Sequence, residues 1–539
     1  MRGKPIGRRQ FLVRTTAAVA GAATARGALA RMMRGGGGGG GTTTVTDPPV
    51  SGPLRALPVA TPVSGSPGGM LHYRLEACQA PVAIDGASAN AMVYRDLGAP
   101  LDGRFVAPVL RAEPGPGQRI RLEFTNGLPA DPALNLLGHE RHPTNVHVHG
   151  LHVSPGADAM TGLPADDVHL RIEGGGQGLT YDYDLAMQRP GSIALYHPHL
   201  HGSVAEQMWN GLVGAIDVSD GEITALDPYP ATLLVLKDVT VSNGAPAPYT
   251  MLSEYMRGRE GNVVTVNGQV NPYLAVTAGE VRRLRILNVS NARFYRLSLQ
   301  GHPFHVVGAD GGLLDRPTAA RSELLMAPGE RVDLLVPFGT ADKGDYKLLA
   351  LPYARHGNMA SAQVTLLTVR IASRTRAAQA LPAAVAPGTT RLSDDPALAR
   401  PRFALSMGQG RGYINGITFE QLADGSIRSC EHHSMVGDDE IWEVVNESGM
   451  DHPWHQHVND AQVLSISGGD ASIARYAALY TSAPAWKDTI IIPKWGSATF
   501  RMPIRDHGGM TMFHCHILEH EDIGMMGMWH LMDDGMGGM

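Results

Sequence analysis

The sequence predicts an all-β protein built from three sandwich or barrel domains. Three observations carry that expectation. The 539 residues are rich in Gly (65) and Pro (37) while aromatics reach only 6%, a balance that favours short strands and turns over long helices. Short stretches alternate polar and apolar residues, as in Arg119-Ile120-Arg121-Leu122-Glu123-Phe124 and Arg282 to Val289, and end at Asn, Gly or Pro. A period of two puts one face in a core and the other in solvent. Composition shifts around Asp217 to Asp227 and from Arg374 to Arg400 cut the chain into blocks, each of a size that one hydrophobic core can serve. A turn leading into a basic-apolar strand occurs at Gly115 to Leu122 and again at Ala278 to Ile286, which points to a duplicated unit.

Taken in order, residues 1–30 hold Arg2, Lys4, Arg8, Arg9, Arg14 and Arg26 and no acid. The pair Arg8-Arg9, a mild stretch from Ala17 to Ala25, and Ala28-Leu29-Ala30 resemble a bacterial twin-arginine export signal, an address and not an anchor. The resemblance implies the twin-arginine translocation machinery as a partner and a periplasmic or extracellular location. Residues 31–69, with Gly35 to Gly41 in a row, read as a flexible lead-in. Domains then follow at 70–222, 223–375 and 401–532, with a linker at 376–400 and a Met/Gly tail at 533–539.

The composition also excludes much. Hydrophobic residues at 43% and charged residues at 18% fit a globular chain. No run of 18 apolar residues offers a membrane span, and a net charge of −6 gives no reason to expect nucleic acid. Three cysteines cannot make a disulfide framework, although Cys78 and Cys430 could pair after export. Twenty-three histidines beside three thiols point to a metal.

Four clusters hold most of the signal: Thr144 to Gly150, Tyr196 to Gly202, Asp451 to His457, and Phe513 to His520, continuing through Met525. Random placement would give roughly one His-x-His pair; this chain has 147/149, 197/199, 199/201, 455/457 and 514/516. On an extended strand each such pair aims two imidazoles to one side, a clamp for a metal. Four clamps could surround a multi-metal cluster with eight imidazoles. If His514 and His516 face one way, Cys515 faces the other and belongs to a different site. His452, His520 and Met525 can reach the sulfur's side, and two His, one Cys and a weak axial Met make a blue-copper electron-transfer site.

The four clusters together resemble the copper-binding segments of the multicopper oxidases, the laccase-like family, in order and over residues 70 to 532. The resemblance implies three cupredoxin-like Greek-key domains and four coppers per chain. The mononuclear type 1 copper would take His452, Cys515, His520 and Met525. The type 2 copper would take His147 and His455. The type 3 pair would take His149, His197 and His516 on one ion, and His199, His457 and His514 on the other. Glu521 matches a proton-shuttling carboxylate, and Asp158, nine residues after His149, is its counterpart in the first domain. Asp166 competes with Asp158 because an apparent insertion blurs the match. Val148 stands where many relatives have Trp, and Gln456 and Val458 depart from the usual aliphatic and Gly. His152 and His201 match no ligand position and read as supporting residues.

The implied activity is one-electron oxidation of phenolic or similar aromatic reductants, coupled to four-electron reduction of O2 to water. Cuprous-ion oxidation is the alternative, since Met525, Met526, Met528, Met532, Met536 and Met539 offer thioethers that suit Cu(I). A copper-free exported scaffold is the remote one.

Overall fold

In the computed structural model, which describes residues 48–422 and 426–533, the alternating segments form paired sheets in each third of the chain. The first third has a four-stranded and a three-stranded sheet, the second a six- and a five-stranded sheet, the last two five-stranded sheets. In the first third, Tyr73, Tyr94, Leu122 and Tyr181 from one sheet and Leu110, Tyr196 and Ile216 from the other share one buried cluster. That is the two-layer packing that period-two alternation demands.

The same strand arrangement recurs three times. Arg119–Asn126 runs parallel to Met70–Ile84 and antiparallel to Gln177–Asp184. Val281–Asn288 runs parallel to Ala231–Val239 and antiparallel to Arg331–Pro337. Asp439–Asn446 does likewise between Arg402–Gly408 and Ser497–Pro503. The echo between Gly115 and Ala278 thus marks structurally equivalent strands.

Helices are few among the described residues. Val204–Trp209 follows the second His cluster, and Leu518–Asp522 carries His520, the last histidine of the fourth. Ala471–Tyr480 starts at Asp470, whose side chain accepts the N–H groups of Ser472 and Ile473, satisfying donors that a helix start leaves open. No described helix is long and apolar enough to cross a membrane.

Two segments differ from the sequence reading. The lead-in is not free as far as residue 69. Leu54 N–H donates to Tyr273 carbonyl at 2.7 Å, Ala60 N–H to Val109 carbonyl at 2.9 Å, and Ala60 is 2% exposed. A Pro-rich extended chain cannot pair continuously along a sheet, yet it can dock along edges by its remaining N–H groups. The 376–400 segment is irregular as expected but seated, with Val385 buried against Leu226, Val307 and Leu335. Residues 1–30, where the sequence leads one to expect an export signal, and residues 31–47, 423–425 and 534–539 lie outside the described residues. Cys78, Cys430 and Cys515 are all free thiols, so the pairing of the first two is not formed.

Candidate metal centre

The first and last thirds meet through their histidines. His147 and His197 pair backbone to backbone, with N–H to O distances of 2.8 and 3.1 Å. His455 lies opposite His514 in the antiparallel register of His452–Gln456 with Gly509–Cys515. Not every His-x-His lies within a strand as expected. His149, His199, His457 and His516 sit just past a bridge or strand end, yet the chain stays extended enough to keep each pair convergent. The helix Val204–Trp209 fixes the join, because Asp522 accepts the N–H groups of Gly202, Val204 and Ala205 at 2.8 to 3.2 Å.

Eight imidazoles result in one buried pocket, none more than 2% exposed. His149, His197 and His516 form one triad and His199, His457 and His514 another, their donor atoms within 4.8 Å of one another. His147 and His455 come together in a group with His149. His147 stacks on His457 at 4.0 Å between ring centroids, and His149 on His455 at 3.7 Å. Burial first, then neighbouring charges, push His147, His149, His199, His455, His457, His514 and His516 well below the ordinary imidazole value, and burial brings His197 to about 4. All are therefore neutral at pH 7 and free to bind a metal.

The outer nitrogens are held by the protein. His147 Nδ1 donates to Asp166 at 2.9 Å, His197 Nδ1 to Pro198 carbonyl at 2.9 Å, and His455 Nδ1 to Asp488 carbonyl at 2.9 Å. In each case the opposite nitrogen, Nε2, is buried without a partner. Unpaired buried polar atoms are costly, and three aimed into one pocket fit a group that supplies the missing bonds. The donor set suits copper.

Cys515 behaves as its position predicts. It faces the core with Phe513 and Trp529, away from the His514 side. Its Sγ lies 3.3 Å from His452 Nδ1 and 3.5 Å from His520 Nδ1, and the two nitrogens are 3.2 Å apart. Cys515 N–H donates to Met525 carbonyl, and Met525 N–H to His520 carbonyl, which brings residue 525 against both; Met525 is fully buried. Burial brings His452 down to about 3 and pushes the Cys515 thiol up, so the thiolate needs a metal to form. His452 Nε2 donates to Ser448 Oγ at 2.8 Å. Ser448 carbonyl in turn holds the N–H of Trp495, whose side chain is 71% exposed.

Glu521 is fully buried, 3.4 Å from His514 Nδ1 and 3.7 Å from His199 Nδ1. Burial, with Asp522 beside it, pushes its carboxyl well up. Asp158 does not reach the pocket. It pairs with Arg119 at 2.7 Å and accepts from Thr161 N–H and hydroxyl. The cause is a small excursion in which Asp158 N–H bonds Leu163 carbonyl and Ala165 N–H returns to Gly156 carbonyl. The chain re-enters the site only afterwards, at Asp166, which is buried, bonds His147 and accepts Val148 N–H at 2.9 Å. Asp166 is the carboxylate brought to the first-domain side.

Sequence reasoning missed Asp488 and Arg331. Asp488 Oδ1 lies 3.1 Å from His149 Nε2. Arg331, fully buried in the middle third, clamps both Asp488 oxygens and bonds Gly329 and Ile193 carbonyls. Neither residue carries a motif; only their burial together signals them. His152 bonds Val458 carbonyl at 2.8 Å and Asp506 at 2.9 Å, tying the first third to the last. His201 packs on His139 and Phe419. Gln456 donates to Lys487 carbonyl at 3.1 Å. Val458 sits at φ +68°, a left-handed backbone that strains a β-branched residue and explains why Gly is usual there.

Family models described as multicopper oxidase match residues 99–222, 228–371 and 417–534. The chain is 27% identical to a laccase of Bacillus subtilis, over 79% of this chain and 88% of that protein. It is 25% identical to the multicopper oxidase mco of Staphylococcus aureus, over 79% and 82%. Among solved structures, a Campylobacter jejuni multicopper oxidase described as a metallo-oxidase superposes with TM-score 0.72 at 25% identity, covering 90% of this chain and 96% of that one.

Proposed function

Because the chain belongs to the multicopper oxidase family and is a copper-dependent oxidoreductase using O2, we propose that it is a laccase-like member. On this reading it oxidises phenolic or similar aromatic reductants and reduces O2 to water. One observation carries the reading: Cys515 faces His452 and His520 while its chain neighbours His514 and His516 face the eight-imidazole pocket. A single stretch of backbone joins the triad that would hold an electron-accepting copper to the pocket whose imidazoles would hold the others. Copper bound at these places, four ions per chain, would supply one-electron redox chemistry and the site at which O2 is reduced.

The side chains do the rest. His452, Cys515, His520 and Met525 would hold one ion; His147 and His455 another; the two triads one each. Exposed Trp495, next to Ser448 and His452, marks the face where a reductant would approach. Burial of the eight imidazoles keeps bulk water away from the pocket. Forming water consumes protons, and Glu521, between the outer nitrogens of His199 and His514, is placed to hold one beside the pocket. Asp166 keeps the proton of His147 on Nδ1, so that Nε2 stays a ligand. The Arg8-Arg9 signal supports export to the periplasm or beyond by the twin-arginine machinery.

Metal-replete protein should absorb near roughly 600 nm, as copper–thiolate sites do, and hold about four coppers per chain. Colourless protein would overturn the reading. The second reading, cuprous-ion oxidation, is supported by the metallo-oxidase neighbour and by the methionines of the last strand. Comparing turnover of a methoxyphenol with that of Cu(I) separates the two. A copper-free scaffold role is disfavoured because the full donor set is present.

A further inference from the structure

The strand Ala231–Val239 carries a charge where its pattern calls for an apolar residue. With a side-chain period of two, Leu233, Val235, Lys237 and Val239 share one face. That face packs against Phe105, Val213 and Ala215 of the first third. Lys237 is buried with them. Its Nζ has no hydrogen-bond partner among the described residues. It borders a cavity of about 20 Å³ whose wall includes Leu57, Phe105, Val213, Val235 and Thr265.

The carboxylates that act on this ammonium are already taken. Asp238, the next residue, points to the other side of the strand. There its Oδ2 accepts from Gly261 N–H at 2.6 Å and from Arg293 Nε at 2.8 Å. Glu519 Oε1 accepts from the Tyr249 hydroxyl at 2.6 Å. Burial outweighs both and brings the Lys237 ammonium down to about 8, so it still carries its charge at pH 7. The Phe105 ring, 5.8 Å away, lies at the edge of cation–π range. An unpaired charge among apolar groups is costly, and a water relieves it poorly. A buried water needs about two to four polar partners. Thr265, the one other polar side chain in this wall, already donates its hydroxyl to the Lys237 carbonyl at 3.1 Å.

We propose that Lys237 and this cavity form a binding site for one small monovalent anion, chloride in solution, at the junction of the first and second thirds of the chain. Charge sets the sign, since an anion cancels an ammonium that no side chain pairs. Volume sets the size: about 10–15 Å³ holds one water, so this cavity admits a single halide and excludes sulfate, phosphate or an organic acid. The apolar walls set the class, favouring weakly hydrated chloride or bromide over fluoride, whose water is harder to strip. Both walls must be assembled for the ion to bind, so it stabilises their packing. The site owes nothing to the reductant the enzyme uses.

Bromide, which scatters X-rays anomalously, is the first probe. Crystals of the copper-replete full chain in sodium bromide should show an anomalous peak in contact with Lys237 Nζ. Density there without anomalous signal would be water and would overturn the proposal. This experiment needs no substitution, so it decides even where a variant does not fold. Equilibrium dialysis against radiolabelled chloride then compares the copper-replete chain with Lys237→Met, which keeps the length and removes the charge. The wild type should bind one more chloride per chain; halide held at copper cancels in the difference. Equal binding would overturn the site. The wild-type unfolding temperature should rise in sodium chloride relative to sodium gluconate at equal ionic strength, and that of Lys237→Met should not. The same rise in both would place the effect elsewhere and refute the assignment.

Discussion

Asp488→Asn tests how the middle of the chain, which supplies no ligand, governs the pocket. The Asp488 carboxylate accepts from Arg331 through both oxygens, from Thr489 Oγ at 2.8 Å and from His149 Nε2 at 3.1 Å. Arg331 Nη1 also lies 2.9 Å from that same His149 nitrogen. A guanidinium only donates. While the carboxylate is present, His149 Nε2 keeps its proton and donates it to Asp488, leaving the Nδ1 lone pair facing His516 Nε2 at 3.1 Å. Asparagine keeps the size and removes the charge. Arg331 then becomes the stronger neighbour and turns His149 Nε2 into an acceptor, moving the proton onto Nδ1, the nitrogen a metal needs. Loss of such an orienting partner costs about 10–100-fold in metal affinity, or about 1.4–2.7 kcal/mol. Arg331, fully buried, then keeps only the more distant Asp310 carboxylate at 3.9 Å, and losing its close partner adds up to about 3–5 kcal/mol of destabilisation. Copper per chain is measured at equilibrium with a series of chelators, with unfolding followed separately. Arg331→Met added to Asp488→Asn removes the competing donor and the stranded charge together, so the double variant should regain most of the lost affinity and stability. Wild-type copper affinity in Asp488→Asn, or a double variant no better than the single, would refute the reasoning.

Three further outcomes follow from the geometry. Glu521→Gln should slow reoxidation by O2 at least about tenfold while leaving reduction of the Cys515 site unchanged; stopped-flow traces at several pH values check this, and equal reoxidation removes Glu521 from proton delivery. Cys515→Ser should abolish the absorption near roughly 600 nm and lose about one copper per chain, whereas retained colour would mean that the sulfur is not a ligand. In the copper-free protein the buried histidines sit well below their unfolded value of 6.5. Below that pH the unfolded chain takes up protons that the native chain refuses. Stability present above about pH 6.5 should therefore fall with acid, by about 1.4 kcal/mol per pH unit for each such histidine. Unfolding by urea between about pH 7 and pH 5 reads the slope, and a flat profile contradicts it.

Some of this molecule is local and so can be read from the chain alone. Alternation along Arg119–Asn126 and Val281–Asn288 specifies strands, and the spacing of His514, Cys515 and His516 puts sulfur and imidazoles on opposite sides, because a strand's side-chain period is set by its own backbone. The histidine triads needed more: His149, His197 and His516 are brought together by packing between thirds of the chain, which the sequence could support only through resemblance. Where a loop's path decides, linear spacing misleads. Nine residues after His149 comes Asp158, but a hydrogen-bonded excursion throws it out to Arg119 and returns Asp166 in its place. Asp488 and Arg331 carry no pattern, since their role arises where a buried charge from the middle third meets a carboxylate from the last. Contacts between residues more than a hundred positions apart depend on how whole sheets pack, and that was decided only when the chain folded.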